Sequence, residues 1–231
     1  RHTLADDKAN TKSESFMKYF FLITELTGTI AFAISGSLTA IKKEMDLLGV
    51  MILGMTTAVG GGILRDMILG IFPPKAFIDG IYVFVSLLIS AFCFFIIFLQ
   101  HKKILKVRNS QKQKNIFHNI IIIADAIGLG IFTVAGVKAV FDAELNLNYF
   151  IPVFLGTLTG VGGGIFRDVM AGDRPYIFVK HIYACASILG ALVCALLWNS
   201  AGQSLSMILG FFTVLVFRIL AIHFEWNLPH A

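Results

Sequence analysis

Apolar residues run in long stretches along this chain, separated by short clusters of charge, glycine or proline. A helix needs about 20 mostly apolar residues to cross the hydrocarbon core of a bilayer. Seven stretches reach that length, at roughly 18–41, 47–69, 78–100, 116–140, 149–171, 179–198 and 204–224. The pattern predicts an all-α membrane protein with seven transmembrane helices. Residues 1–16 are polar and read as an irregular tail. The first apolar run is too long for the core of a signal peptide and ends in no small-residue cleavage site, so it is expected to remain as a membrane helix.

Composition agrees with this class. Hydrophobic residues make up 57% and charged residues 14%, against about 25% charged in a soluble domain. The excess of 19 Lys+Arg over 14 Asp+Glu follows the loops and does not call for nucleic acid. The connection from Gln100 to Asn115 holds Lys102, Lys103, Lys106, Arg108, Lys112 and Lys114 with no acid, which marks it as cytoplasmic. Counting spans from there puts Lys42, Lys43, Arg174 and Lys180 on the same side. Lys75, Asp142 and Glu144 then lie opposite, with the N-terminus outside and the C-terminus cytoplasmic. Cys93, Cys185 and Cys194 all sit in apolar spans. They read as small buried hydrophobes, with no disulfide or metal framework.

The spans are not independent. Thr57-Ala58-Val59-Gly60-Gly61-Gly62-Ile63-Leu64-Arg65-Asp66 in span 2 returns in span 5 as Thr159-Gly160-Val161-Gly162-Gly163-Gly164-Ile165-Phe166-Arg167-Asp168. The two copies lie 102 residues apart, as do Gly54 and Gly156, Gly70 and Gly172, and Pro73 and Pro175. Upstream the spacing is 100, pairing Glu25 with Asp125, Gly28 with Gly128, Phe32 with Phe132 and Gly36 with Gly136. Downstream, at 101, Ile81-Tyr82 and Ser86 match Ile182-Tyr183 and Ser187. The chain thus divides into repeat 1 over 17–100, a basic cytoplasmic linker over 101–115, repeat 2 over 116–198, and a seventh helix with its tail over 199–231. Three spans per repeat is an odd number, so the second copy enters from the opposite face. Such 3+3 inverted repeats place their site near the midplane, where interrupted helices of the two halves meet.

Each adjacent glycine weakens a helix by about 1 kcal/mol relative to alanine. Kinked or unwound helices are therefore expected in spans 2 and 5, at Gly60, Gly61 and Gly62 and at Gly162, Gly163 and Gly164. Unwinding would free backbone carbonyls, tolerated at membrane depth only against protein or water. Near Gly60 and Gly162 such carbonyls would suit a monovalent cation. Close helix packing is the competing account. Arg65 and Arg167 lie about one turn past the glycines. With Asp66 and Asp168 they read either as field and gating charges or as local ion pairs and snorkelling arginines. Glu25 and Asp125 are intramembrane carboxylates, functional by default; they would attract cations, accept protons or neutralise the arginines. Hydroxyls, among them Ser35, Thr57, Thr133 and Thr159, crowd spans 1, 2, 4 and 5. Spans 3, 6 and 7 read as plainer, turned to lipid or neighbouring subunits, and Lys138 reads as snorkelling. No catalytic constellation accompanies His101, His118, His181 or His223. The glycines lack the strand and βαβ unit of a dinucleotide site. The chain reads as a non-enzyme without cofactor.

The paired TxxGGGxxRD segments, the downstream proline and the 3+3+1 hydropathy pattern resemble the prokaryotic TRIC family. These are trimeric intracellular cation channels, whose bacterial members are also classed with a glycine-transporter-like family. The resemblance covers about 17–224. It implies a homotrimer in the inner membrane of a prokaryote, with a pore in each subunit lined by spans 1, 2, 4 and 5. It also implies potassium as permeant ion, with sodium beside it, and no partner beyond further copies and membrane lipid. The Lys-Glu-Val signature of animal members, linked to phosphoinositide, is absent from span 2, so lipid regulation is not carried over.

These readings converge on a passive monovalent-cation channel, lined by hydroxyls and freed carbonyls and tuned by Arg65 and Arg167. The alternative is a secondary transporter of a small zwitterion such as glycine. There the same helix ends bind its carboxylate, while Glu25 or Asp125 handles the amine or a coupling ion. A scaffold protein whose glycines only pack is a third class.

Overall fold

The computed structural model describes residues 2–103, 111–143, 148–179 and 182–224. These form α1 (His2–Lys42), α2 (Leu47–Ile68), α3 (Lys75–Ile78), α4 (Ile81–Lys103), α5 (Gln111–Asp142), α6 (Phe150–Met170), α7 (Tyr176–Val179), α8 (Ile182–Ala201) and α9 (Gln203–His223). No strand occurs among the described residues. Seven segments are long and apolar enough to span a membrane: Met17–Lys42, Leu47–Ile68, Ile81–Leu99, Ile116–Asp142, Phe150–Met170, Ile182–Ala201 and Gln203–His223. They match the seven expected from the apolar runs to within a few residues.

Three local differences have simple causes. Residues 2–16, expected to be irregular, continue α1 outward; they contain neither glycine nor proline to stop it. Helix enters both ends of the expected basic linker, 101–115: α4 runs to Lys103 and α5 starts at Gln111, and 104–110 lie outside the described residues. The one-turn helices α3 and α7 were not foreseen. Each follows a helix closed by a glycine in the left-handed region, Gly70 at φ +71° and Gly172 at φ +73°. The Ile71 and Asp173 amides donate back to the Asp66 and Asp168 carbonyls at 2.9 and 2.8 Å, a Schellman-type stop that turns the chain sharply.

The two halves are built from the same contacts. A methyl group at Gly36 would lie 2.5 Å from Thr57 Oγ1, 2.8 Å from the Leu53 carbonyl oxygen and 2.9 Å from Gly54 Cα. At Gly136 the same neighbours recur 102 residues on: Thr159 Oγ1 at 2.6 Å, and the Leu155 carbonyl and Gly156 Cα both at 2.8 Å. Glycine at these positions lets α1 lie against α2, and α5 against α6, almost backbone to backbone.

Between the halves, corresponding helices run in opposite directions. Thr56 meets Met170, Gly60 meets Phe166, and Leu64 meets Gly162, so α2 and α6 are antiparallel. In α1 and α5, Gly28 faces Ile131 and Phe132 while Gly128 faces Phe32, again antiparallel, as an inverted repeat requires. The Phe32 and Phe132 rings stack across this contact at 5.2 Å.

The interruption expected at the glycines is absent. Helix runs unbroken through Gly60–Gly62 and through Gly162–Gly164, so the carbonyls near Gly60 and Gly162 are not freed. The glycines are used for approach instead. A methyl on Gly61 would run into the Thr159 carbonyl, one on Gly163 into the Thr57 carbonyl, and one on Gly162 would sit 2.9 Å from Gly61 Cα. Tertiary packing thus overrides low helix propensity.

The last two helices complete the bundle on the side of repeat 2. The α8 and α9 helices meet at Gly190 and Gly210, and both pack on α5 through Val134, Ala191, Cys194 and Met207. The α4 helix is the most exposed, presenting Phe84, Leu88, Phe92, Phe95 and Leu99 outward, as expected of a lipid-facing or subunit-facing span. The Lys43 ammonium meets Asp173 at 2.6 Å, placing the α1–α2 and α6–α7 connections on one face.

Gly61→Val is expected to lower stability by about 1–3 kcal/mol through overpacking. Gly62→Ala, whose only neighbour within reach is Arg65 Nη2 at 3.9 Å, should be neutral or stabilising. Thermal unfolding in detergent separates the two, and equal losses at both positions would contradict the packing account.

Candidate functional site

The conserved geometry of each Arg-Asp pair starts from its helix end. Arg65 Nε donates to Asp66 Oδ1 at 2.9 Å, and Arg167 Nε to Asp168 Oδ1 at 2.8 Å. The second carboxylate oxygen of each aspartate accepts a backbone amide that opens the following short helix, Lys75 N–H or Tyr176 N–H, both at 2.8 Å. One aspartate therefore orients an arginine and caps a loop at once. The intramembrane carboxylates have matching partners as well. Tyr82 Oη donates to Glu25 Oε2 at 2.6 Å, and Tyr183 Oη to Asp125 Oδ1 at 3.2 Å. Because α2 and α6 are antiparallel, the two constellations lie towards opposite ends of the bundle.

From this shared plan the halves diverge. In repeat 2, Arg167 Nη1 donates to Asp125 Oδ1 at 2.5 Å and to Ser35 Oγ of α1 at 2.6 Å. The Arg167 guanidinium also lies 5.0 Å from the centre of the Tyr176 ring. Burial, the largest influence on that phenol, pushes it above its ordinary value, so the ring stays neutral near pH 7. Asp125, Ser35, Arg167 and Asp168 are all buried. A further cation enters from α9: Arg218 is 3% exposed, its guanidinium 4.7 Å from the Tyr183 ring centre and its Nη2 3.8 Å from Asp125 Oδ2. Two arginines thus face two aspartates, and the constellation is neutral.

In repeat 1, Ala135 occupies the position matching Ser35, so Arg65 has no hydroxyl across the halves. No hydrogen bond joins Arg65 to Glu25. A cavity of about 70 Å³ opens there instead, lined by Glu25, Thr29, Gly62, Arg65, Asp66, Lys75, Asp79, Tyr82 and Phe132 among others. That is room for a few water molecules or a partly dehydrated ion. Three carboxylates against two cations leave its wall with a formal charge of −1.

The structure brings together Asp125, Arg167, Asp168 and Ser35, and separately Glu25, Arg65 and Asp66. Most of the expected hydroxyl lining is turned back on its own helices. Thr57 and Thr159 donate to the carbonyls of Leu53 and Leu155 at 2.6 and 2.5 Å, and Thr133 pairs with Ser187 at 2.6 Å. Lys138 is paired with Asp142 and lies 4.5 Å from the Phe21 ring centre. The expectation that spans 6 and 7 are plain is corrected by Tyr183 on α8 and Arg218 on α9. Buried positions on α9 at Gly210, Val214 and Arg218 follow a four-residue spacing, the signal that places Arg218 on the packed face.

Comparison with known proteins fits this architecture. A family model described as glycine transporter matches the chain twice, over residues 22–97 and 122–199, one match per repeat. The UPF0126 membrane protein YvgT of Bacillus subtilis is 36% identical over 90% of this chain and 95% of its own. The UPF0126 inner membrane protein YadS of Escherichia coli K12 is 35% identical over 89% and 93%. Among solved structures, a prokaryotic TRIC channel crystallised in 0.5 M KCl aligns over 91% of this chain and 100% of its own, at 32% identity and TM-score 0.79. The chain belongs to the TRIC family. A TRIC trimeric intracellular cation channel orthologue from Rhodobacter sphaeroides, at 29% identity and TM-score 0.76, covers 90% of this chain and 99% of its own. Its seven candidate spans make this a multi-pass membrane protein, and its named relatives include an inner membrane protein.

Asp125→Asn is expected to be the costliest carboxylate neutralisation, at about 3–5 kcal/mol, because it leaves Asp168 as the one carboxylate balancing two buried guanidiniums. Glu25→Gln, at a half-buried carboxylate beside a cavity, should cost far less. Unfolding of both variants in detergent decides it; the reverse order would mean that the inner pair is not holding the bundle together.

Proposed function

We propose that this TRIC-family chain is a passive cation channel, conducting potassium and with it sodium, with one pathway in each subunit of a homotrimer. The observation that carries the reading is the match to solved TRIC channels over 90–91% of this chain. The pathway runs between the two constellations. Cations collect in the cavity beside Glu25, whose net negative wall favours them over anions. They then pass between the two halves, narrowed by Phe32 of α1 and Phe132 of α5, and leave past Arg167. Arg167 serves as the gate of the second half: its bonds to Asp125, Ser35 and Asp168 hold it in place, and a cation meeting that guanidinium is repelled.

In this mechanism Gly60, Gly61, Gly62, Gly162, Gly163 and Gly164, which add no side chains of their own to the contact, allow α2 and α6 to shift against each other. Thr57 and Thr159 become available where their bonds to the preceding turn break. Arg65 and Arg167, with Asp66 and Asp168, set the field at each end. The N-terminus lies outside and the C-terminus in the cytoplasm, so the Glu25 cavity opens outward and the Arg167 lock faces inward. The contact of Lys43 with Asp173 supports a shared face for these two connections, and the basic residues of the loops make that face the cytoplasmic one.

Ion flux into liposomes holding the purified protein, under potassium or sodium gradients with a glycine control, tests the reading. Flux that persists without a coupled gradient, and unitary steps in a planar bilayer, are expected. Saturable glycine uptake without such currents would replace the channel by a transporter. Glu25→Gln is expected to lower cation-over-anion permeability several-fold, because removing a carboxylate from the cavity wall weakens its focusing of cations. An unchanged reversal potential would remove Glu25 from the pathway.

A further inference from the structure

Arg218 is a buried cation that neither repeat accounts for. It comes from α9, the helix without a counterpart, and its Nη2 stops 3.8 Å short of Asp125 Oδ2. Asp125 Oδ2 is buried without a hydrogen-bond partner, and so is Nε of the same Arg218 guanidinium. Buried charged atoms left unpaired in this way are costly. Meanwhile Asp125 gives its other oxygen, Oδ1, to Arg167 and Tyr183. One carboxylate thus stands between two guanidiniums, bonded to the first and just out of reach of the second.

Any opening that withdraws Arg167 must deal with what it leaves behind. Arg167 keeps Asp168 as a partner on its own helix, but Asp125, fully buried, would lose its closest cation. An α9 shift of about 1 Å would bring Arg218 within the usual hydrogen-bond range of 2.7–3.2 Å. We propose that Arg218 takes over Asp125 when Arg167 leaves, so that the seventh helix stabilises the conducting state by neutralising this carboxylate. Arg218 is in this sense a positioning residue: it touches no permeant ion and acts through Asp125. The first half needs no such helix, because Glu25 is only half buried and borders the cavity, where water does the same work. The inference rests on the channel reading for its consequence and on the inner constellation alone for its geometry.

Two measurements test it. In single-channel recordings, Arg218→Gln is expected to lower open probability roughly tenfold, about 1.4 kcal/mol, while unitary conductance and ion selectivity stay put. Arg218→Lys, which keeps the charge, should restore most of the lost opening. A fall in unitary conductance with open probability unchanged would overturn the proposal, making Arg218 a plain field charge. So would equal loss in the Gln and Lys variants, which would mark a packing role. Independently, a structure of Arg167→Gln should show Arg218 hydrogen-bonded to Asp125 Oδ2. A separation still at 3.8 Å or more there overturns the hand-over even if Arg218→Gln does not assemble. Wild-type protein that passes no current would sink the channel reading, and the Arg167→Gln structure would still decide the hand-over.

Discussion

The arrangement depends on the backbone-to-backbone crossing of α2 and α6 at their glycines. In lipid, apolar side chains gain little by leaving the solvent for one another, so close van der Waals contact has to hold helices together. Glycines at the crossing provide that contact. It also fixes direction: two near-identical segments meeting antiparallel carry their Arg-Asp pairs away from each other. Opposed charge constellations at the two ends of the bundle then follow from one local rule of packing, applied twice.

What each end does with its charges is decided by neighbours outside the motif. A guanidinium and a carboxylate in a low-dielectric interior are stable only when their remaining donors and acceptors are met. At one end, Ser35, Tyr176 and Tyr183 surround the pair and exclude water. At the other, alanine stands where that serine would be, no ninth helix arrives, and the space is left to solvent. A near-symmetric scaffold thereby acquires one end with a cavity and one closely packed end.

Much of this was legible in the amino-acid order. Span number follows from bilayer thickness, the repeat from paired spacings, and the importance of Glu25, Asp125, Arg65 and Arg167 from the cost of charge at depth. The state of the glycine helices was not, because low propensity predicts a weak helix while only the partner's backbone, 102 residues away, shows why it stays whole. Tyr82 and Tyr183 were visible as a matched pair, but their hydroxyls became partners only once α4 and α8 were placed. Arg218 was hidden for a different reason. It lies near the end of the last apolar run, where an arginine ordinarily reaches for the interface, and only its spacing from Gly210 and Val214 betrays the buried face.

The double duty of Asp66 and Asp168 has a mechanical consequence. A carboxylate is rigid and planar, so its two oxygens turn together. With one oxygen on a guanidinium inside the bundle and the other on the first amide of α3 or α7, rotation at either end is felt at the other. Each aspartate is a short crank joining the membrane interior to the surface connection beyond it. Something that grips that connection from the water would therefore be gripping the arginine as well.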